Sequence, residues 1–168
     1  MSAAQHPHAA NRRAFLDMLA FAEIGPALLA RSDDGYDVIV GSTPASPILM
    51  QGYADHPRRL VELRLRGRPV RSTAAGRYQL LARYWDHYRV RLALPDYSPA
   101  SQDAVALQQI RECGALPDVD AGRLELAISR VRRIWASLPG AGYGQPERPI
   151  ADLRRAYLAA GGALAPGA

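Results

Sequence analysis

The residue of this sequence best placed for chemistry is a carboxylate that ends an apolar stripe. In "AFLDMLAFAE", Ala14 to Glu23, the helical advance of 100° per residue puts Glu23 between Leu16 and Leu19, on the face such a helix would bury. Two effects then favour its neutral form: partial burial among Leu16, Leu19 and Phe21, and a position at the negative end of the helix dipole. A raised pKa is expected. An acid that stays protonated near neutral pH is what a glycosidase uses to protonate a leaving oxygen, and an apolar wall is the usual way to obtain one. Taken alone, such a stretch more commonly just ends with its glutamate in solvent.

Two further stretches offer polar groups at close spacing. "RSTAAGRYQLL", Arg71 to Leu81, presents hydroxyls at Ser72 and Thr73, close backbone approach at Ala75 and Gly76, and the amide of Gln79. Those groups suit a sugar, although an ordinary hydroxyl cap with an exposed Gln79 is the commoner use of this spacing. "GAGYGQ", Gly140 to Gln145, lifts Tyr143 on a glycine-rich loop, where a ring can pack against a pyranose or merely cover a core edge. His6, His8, His56, His87 and the lone Cys113 have no metal-ligand spacing, and no GxSxG, phosphate-loop or dinucleotide motif is present. Neither metal nor cofactor is expected.

The elements that must position these residues follow from periodicity. Asn11 can cap a first helix that runs to about Glu23, where "IGP" stops it. "GYDVIVG", Gly35 to Gly41, reads as a short strand with Tyr36, Val38 and Val40 on one side and Asp37 and Ile39 on the other; "RLVELRLRG", Arg59 to Gly67, reads as a second. From Gly76 onward helices dominate. The first carries Leu80, Leu81, Tyr84, Trp85, Tyr88 and Leu92; the next opens at Ser98-Pro99 and stops at Gly114; a third spans about Asp120 to Leu138; the last is "IADLRRAYLAAGG" from Ile150. "STPASPILMQG", Ser42 to Gly52, reads as an irregular surface insertion, and Pro139 to Pro149 as a loop. Several helices with one small sheet make the fold class α+β.

The 168 residues suit a single domain, 1–168, with residues 1–10 outside regular structure. One cysteine permits no internal disulfide, and no apolar run is long enough to span a bilayer or to act as an export signal. All 21 basic residues are arginine, giving a net charge of +5 that would suit an acidic polymer, but the arginines are spread along the chain.

With these residues in view, the sequence resembles the endolysin family of bacteriophage lambda and its relatives, lytic transglycosylases of the lysozyme-like superfamily. The blocks "RRAFLDMLAFAE", "GYDVIVG", "DHPRRLV", "STAAGRYQLLARYWDHYR", "SQDAVALQQIRECGALP" and "IWASLPGAGYGQ" carry it, from Arg12 to about Gln145. The resemblance implies a lysozyme-like, mostly helical α+β domain with a substrate cleft between its helices and a small antiparallel sheet, and cleavage of peptidoglycan between N-acetylmuramic acid and N-acetylglucosamine. It puts the catalytic glutamate on Glu23, which protonates the glycosidic oxygen and then takes the proton of the muramic C6 hydroxyl as a 1,6-anhydro ring closes. No second catalytic carboxylate is then required, so Asp37 is assigned to substrate hydrogen bonding alongside Tyr36. Gln79 and Tyr143 fall in blocks that line the family's cleft and are carried over as sugar contacts. The family has a glycine after its glutamate and a polar loop before "GYD", where this chain has the more apolar "IGPALLARSDD".

The resemblance further implies peptidoglycan strands as partner, no nucleic acid, no stable membrane association, a monomer, and residence in the host cytoplasm until a holin gives access to the wall. Two alternatives stand beside it: a hydrolytic muramidase using Glu23 with Asp37, and a non-catalytic peptidoglycan binder whose activity would survive Glu23→Gln.

Overall fold

A computed structural model describes residues 7–167. In chain order it contains α1 (Pro7–Glu23), α2 (Pro26–Leu29), β1 (Val61–Leu65), β2 (Arg68–Ser72), α3 (Ala82–Arg91), α4 (Pro99–Glu112), α5 (Leu116–Asp120), α6 (Leu124–Val131) and α7 (Ile150–Ala159). Among the described residues the regular structure is thus seven helices and one two-stranded antiparallel sheet, the α+β class expected. The chain falls into two compact units, one formed by residues up to Ala22 with Leu107 onward, the other by Glu23–Ala106.

In the first unit, α1 buries Phe15, Met18, Leu19 and Ala22, the i, i+3, i+4, i+7 stripe of an amphipathic helix. The helix begins at Pro7, not at Asn11, so residues 7–10 are helical where no regular structure was expected; residues 1–6 lie outside the described residues. Asn11 caps nothing. It is buried, donates to the Asp120 carbonyl at 3.1 Å and accepts the Ala163 N–H at 2.8 Å. Arg12 adds a two-pronged bond to the Asp120 carboxylate at 2.6 and 2.7 Å. The helix expected over 120–138 is broken, because Gly122 takes a φ of +70° and a Cβ there would lie 2.1 Å from the Ala163 carbonyl oxygen. Only Leu124–Val131 of that stretch is α6, burying Leu124, Ala127, Ile128 and Val131. The last helix likewise ends at Ala159, before its two glycines.

In the second unit the core gathers Ile39, Met50, Ala75, Leu80, Trp85, Tyr88, Tyr97 and Val105. Tyr97 stands edge-on to both Trp85 and His56 with ring centroids 4.9 Å apart, and its hydroxyl donates to the Ala75 carbonyl at 2.8 Å. α3 starts at Ala82 instead of Gly76, its first N–H received by the Thr73 hydroxyl at 3.1 Å. The β1–β2 hairpin pairs Leu65 with Arg68 across Arg66 and Gly67. Both turn residues have positive φ, +50° and +78°, as a two-residue turn matching the strand twist requires.

The strand expected over 35–41 is not formed. Adjacent Val38 and Ile39 are both buried, which an alternating strand forbids. They make single bridges to Leu49 and Ala75 between glycines at φ +84° and +88°. Nor is 42–52 wholly at the surface, since Met50 enters the core and Ile48 packs against it.

Candidate active site

Glu23 is the last residue of α1 and is half-buried. The chain turns at once: Gly25 adopts φ +81°, ψ 152°, a conformation open to glycine, and Pro26 starts α2. The side chain of Ile24 then lies beside Gly35, where a Cβ would stand 3.3 Å from Ile24 Cγ1, 2.9 Å from Leu29 Cδ2 and 3.4 Å from Arg77 Cγ. Only a glycine lets the segment after Glu23 lie this close to the Tyr36–Asp37 turn.

That turn is tied from within. Asp37 Oδ1 accepts the Asp33 N–H at 2.9 Å, and the Asp37 carbonyl accepts the Met50 N–H at 2.7 Å. Tyr53 donates its hydroxyl to Asp33 Oδ2 at 2.5 Å; burial and this carboxylate push its phenol well above the usual range. Tyr36 donates to Asp103 Oδ1 at 2.9 Å, and its phenol is pushed up to about 12, by burial first and the Asp103 charge second. Its hydroxyl is therefore engaged inside the protein.

Gln79 sits at the end of a four-residue loop, Gly76 to Gln79, closed by reciprocal backbone bonds between Ala75 and Leu80 at 3.0 and 2.9 Å. It holds φ +49°, a region a residue with a Cβ enters only under constraint. Its amide nitrogen donates to the Gly76 carbonyl at 2.9 Å and the Val38 carbonyl at 3.4 Å, which leaves the amide oxygen to accept from a ligand. Thus Tyr36, Asp37 and Gln79 are linked through the backbone around Val38, and Glu23 reaches the same turn through Ile24 and Gly35. Ser72 and Thr73 are internal caps: the Ser72 hydroxyl accepts the Ala74 N–H at 3.2 Å, and Thr73 serves α3.

Three positioning residues escape a reading of the sequence. Arg77 is 5% exposed and lies with its guanidinium 5.0 Å from the Tyr36 ring centre and 5.8 Å from that of Tyr78. It donates to the Asp34 carbonyl and carboxylate, both at 2.9 Å. Gln102 accepts the Arg77 N–H at 2.9 Å and donates to the carbonyls of Tyr36 and Tyr97. Asp103 receives both Tyr36 and Tyr78. The available sequence signal is Gly76, whose missing Cβ would fall 2.2 Å from Gln102 Oε1.

Tyr143 belongs to the other unit. Its ring is 53% exposed, and its hydroxyl donates to the Arg133 carbonyl at 2.8 Å. The loop beneath it is held by Glu147, whose carboxylate accepts the Gly140 and Gly142 N–H groups at 2.8 and 3.0 Å and is held below its usual range by those bonds. Among the described residues no group of three or more metal-ligand side chains comes together.

The family model described as Endolysin matches residues 13–164. The endolysin of Escherichia phage lambda is 53% identical over 155 residues, covering 92% of this chain and 93% of that protein. The endolysin of Escherichia phage P2 is 51% identical over 160 residues, covering 90% and 93%. A solved structure of bacteriophage lambda lysozyme complexed with a chitohexasaccharide matches with a TM-score of 0.82 and 52% identity, over 92% of this chain and 96% of that one. A second structure of lambda lysozyme matches with a TM-score of 0.78 at 51% identity, with the same coverage. The fold is lysozyme-like.

Proposed function

The chain belongs to the endolysin family, and from that premise we propose that it lyses a phage host by cleaving the MurNAc–GlcNAc β-1,4 bond of peptidoglycan through lytic transglycosylation. The observation that carries the reading is Glu23, a half-buried carboxylate at the apolar end of α1. Glu23 begins as the acid and gives its proton to the glycosidic oxygen as the C1–O bond breaks and N-acetylglucosamine leaves. The resulting carboxylate then removes the proton of the muramic C6 hydroxyl, whose oxygen bonds to C1. Glu23 is left protonated, the product carries a 1,6-anhydro ring, and no water is consumed.

A retaining or inverting hydrolase needs a second carboxylate. Asp37 is the candidate for that rival, muramidase reading, but its Oδ1 already closes the turn back to Asp33, which favours a role in holding sugar. In the same proposal the Tyr36 ring, the Gln79 amide oxygen and the Tyr143 ring are the other sugar contacts. A glycan ligand is supported by the chitohexasaccharide in the lambda lysozyme structure. No helix among the described residues is long and apolar enough to cross a membrane. In the same proposal the enzyme is a monomer that stays in the host cytoplasm until a holin opens the way to the wall.

The test compares two variants on purified sacculi. Glu23→Gln is expected to abolish clearing while leaving the unfolding transition in place. Asp37→Asn is expected to keep kcat within about tenfold of wild type, whereas loss of a nucleophile or base costs roughly 10⁴-fold or more. Clearing by Glu23→Gln, or an Asp37→Asn variant as dead as Glu23→Gln, would overturn the reading.

A further inference from the structure

The arginines are spread along the chain, but the net charge is not. Arg58, Arg59, Arg64, Arg66, Arg68 and Arg71 stand against Glu62 alone, giving this stretch a charge of +5, equal to the +5 of the whole chain, so the remainder is electrically balanced. The structure places that charge on the β1–β2 hairpin and its approach, with all six arginines exposed. Arg58 is neutralised by Asp55 and Asp86, and Arg71 by Glu62 across the strands. Arg59, Arg64 and Arg68 form no ion pair among the described residues.

The hairpin grows out of the site. At its base, Val61 and Leu63 pack on Gly41, where a Cβ would be 3.2 and 3.3 Å from them, and β2 runs through Ala74, whose carbonyl takes the Val40 N–H at 3.0 Å, into the Gly76–Gln79 loop. The charged hairpin is thus continuous with the loop that carries Gln79. The stretch from Arg58 to Arg71 has no aromatic ring on which a base would stack. Val61 and Leu63 lie on Gly41, and only Leu60 and Val70 stand exposed, too little apolar surface to anchor in a bilayer. Carboxylates presented beside a neutral sugar chain fit what remains.

We propose that the arginines of the β1–β2 hairpin bind the free carboxylates of the stem peptides carried by muramic residues, so that the protein selects peptide-bearing strands over bare glycan. This deepens the peptidoglycan reading and rests on it. Arg64 and Arg68 at the hairpin tip make the contacts, each worth roughly two- to threefold in affinity as exposed ion pairs in about 0.1 M salt.

Binding is measured by calorimetry in the Glu23→Gln background, on soluble peptidoglycan strands and on the same strands stripped of peptides by an amidase. Adding Arg64→Gln and Arg68→Gln together is expected to weaken binding to peptide-bearing strands roughly fivefold and to leave stripped strands unchanged. The corresponding two lysines should restore it to within about twofold, since charge is retained. Equal weakening on both strands, no weakening on either, or loss confined to phosphatidylglycerol vesicles would overturn the proposal. Because no turnover is read, cleavage by the Glu23→Gln protein itself would count against the catalytic reading alone.

Discussion

Two loops carry the proposed sugar contacts Gln79 and Tyr143, and they are held in opposite ways. The Gly76–Gln79 loop is part of a core: Arg77 is buried between two tyrosine rings and Asp34, and Gln102 fixes the backbone from behind. The Gly140–Tyr143 loop is pinned from the solvent side by one carboxylate on two glycine amides and by the Tyr143 hydroxyl. A contact residue on the first loop cannot loosen without local unfolding, because a charge and several polar groups would lose partners in a dry place. One on the second can loosen while the fold stays intact.

The comparison breaks if the first loop proves soft. Replacing Arg77 by Met removes its two bonds to Asp34 and its contact with the Tyr36 and Tyr78 rings, and a loss of about 3–4 kcal/mol is expected in denaturant unfolding; a loss below about 1 kcal/mol would remove the distinction between the loops. Gly76→Ala is the next largest. It drives a methyl into Gln102 and Tyr97 at positive φ, and about 2–3 kcal/mol should be lost with activity falling in parallel.

Acid separates the two loops by a smaller margin. His56 is buried at the far side of Leu80, bonding its carbonyl through Nε2 at 2.9 Å while Nδ1 accepts the Arg58 N–H at 3.0 Å. Burial above all holds its pKa below the ordinary 6.5, with Arg58 acting the same way and the Leu80 bond, Asp55 and Asp86 opposing. The neutral form belongs to the folded state, so its contribution is complete above pH 6.5 and declines as pH falls from there towards the lowered folded value. Glu147 has the opposite charge logic. Its depressed pKa means that its support persists above 4.5 and fades only as pH falls below that. Unfolding measured from pH 7 to 5 should therefore show a slope that His56→Gln flattens and Glu147→Gln does not.

The smallest effect is that of Glu147→Gln at neutral pH. The melting temperature should hardly move, while KM on sacculi rises roughly threefold and kcat is retained, as expected when an exposed pin on a binding loop is weakened. A matching loss of thermal stability would show the second loop to be as structural as the first.

Much of this arrangement is legible in the sequence where helical periodicity is strong. The apolar periodicity of "AFLDMLAFAE" gives α1 and its end at Glu23, although the buried face centres on Phe15, Met18, Leu19 and Ala22 and leaves Phe21 only half-buried, and the aromatic spacing gives α3 from Trp85 through Tyr88. Periodicity fails where backbone conformation decides. "GYDVIVG" has strand composition, yet its flanking glycines bend the chain and bury neighbours Val38 and Ile39 together. β2 is hidden because "RPVRS" is charged, contains proline and lies on an exposed hairpin, where no core face imposes alternation. The roles of Arg77, Gln102 and Glu147 are invisible for another reason. Each binds backbone amides or carbonyls whose positions exist only once the fold has formed. The assignment of Glu23 came from family resemblance, since burial at a helix end does not by itself separate an acid catalyst from a cap.

The measurement that bears most directly on Glu23 acting alone is mass spectrometry of muropeptides released in water enriched in ¹⁸O. The account predicts 1,6-anhydro-muramic ends without ¹⁸O from the wild type, and no release from Glu23→Gln. Reducing ends that carry ¹⁸O would show that water is the acceptor and contradict it.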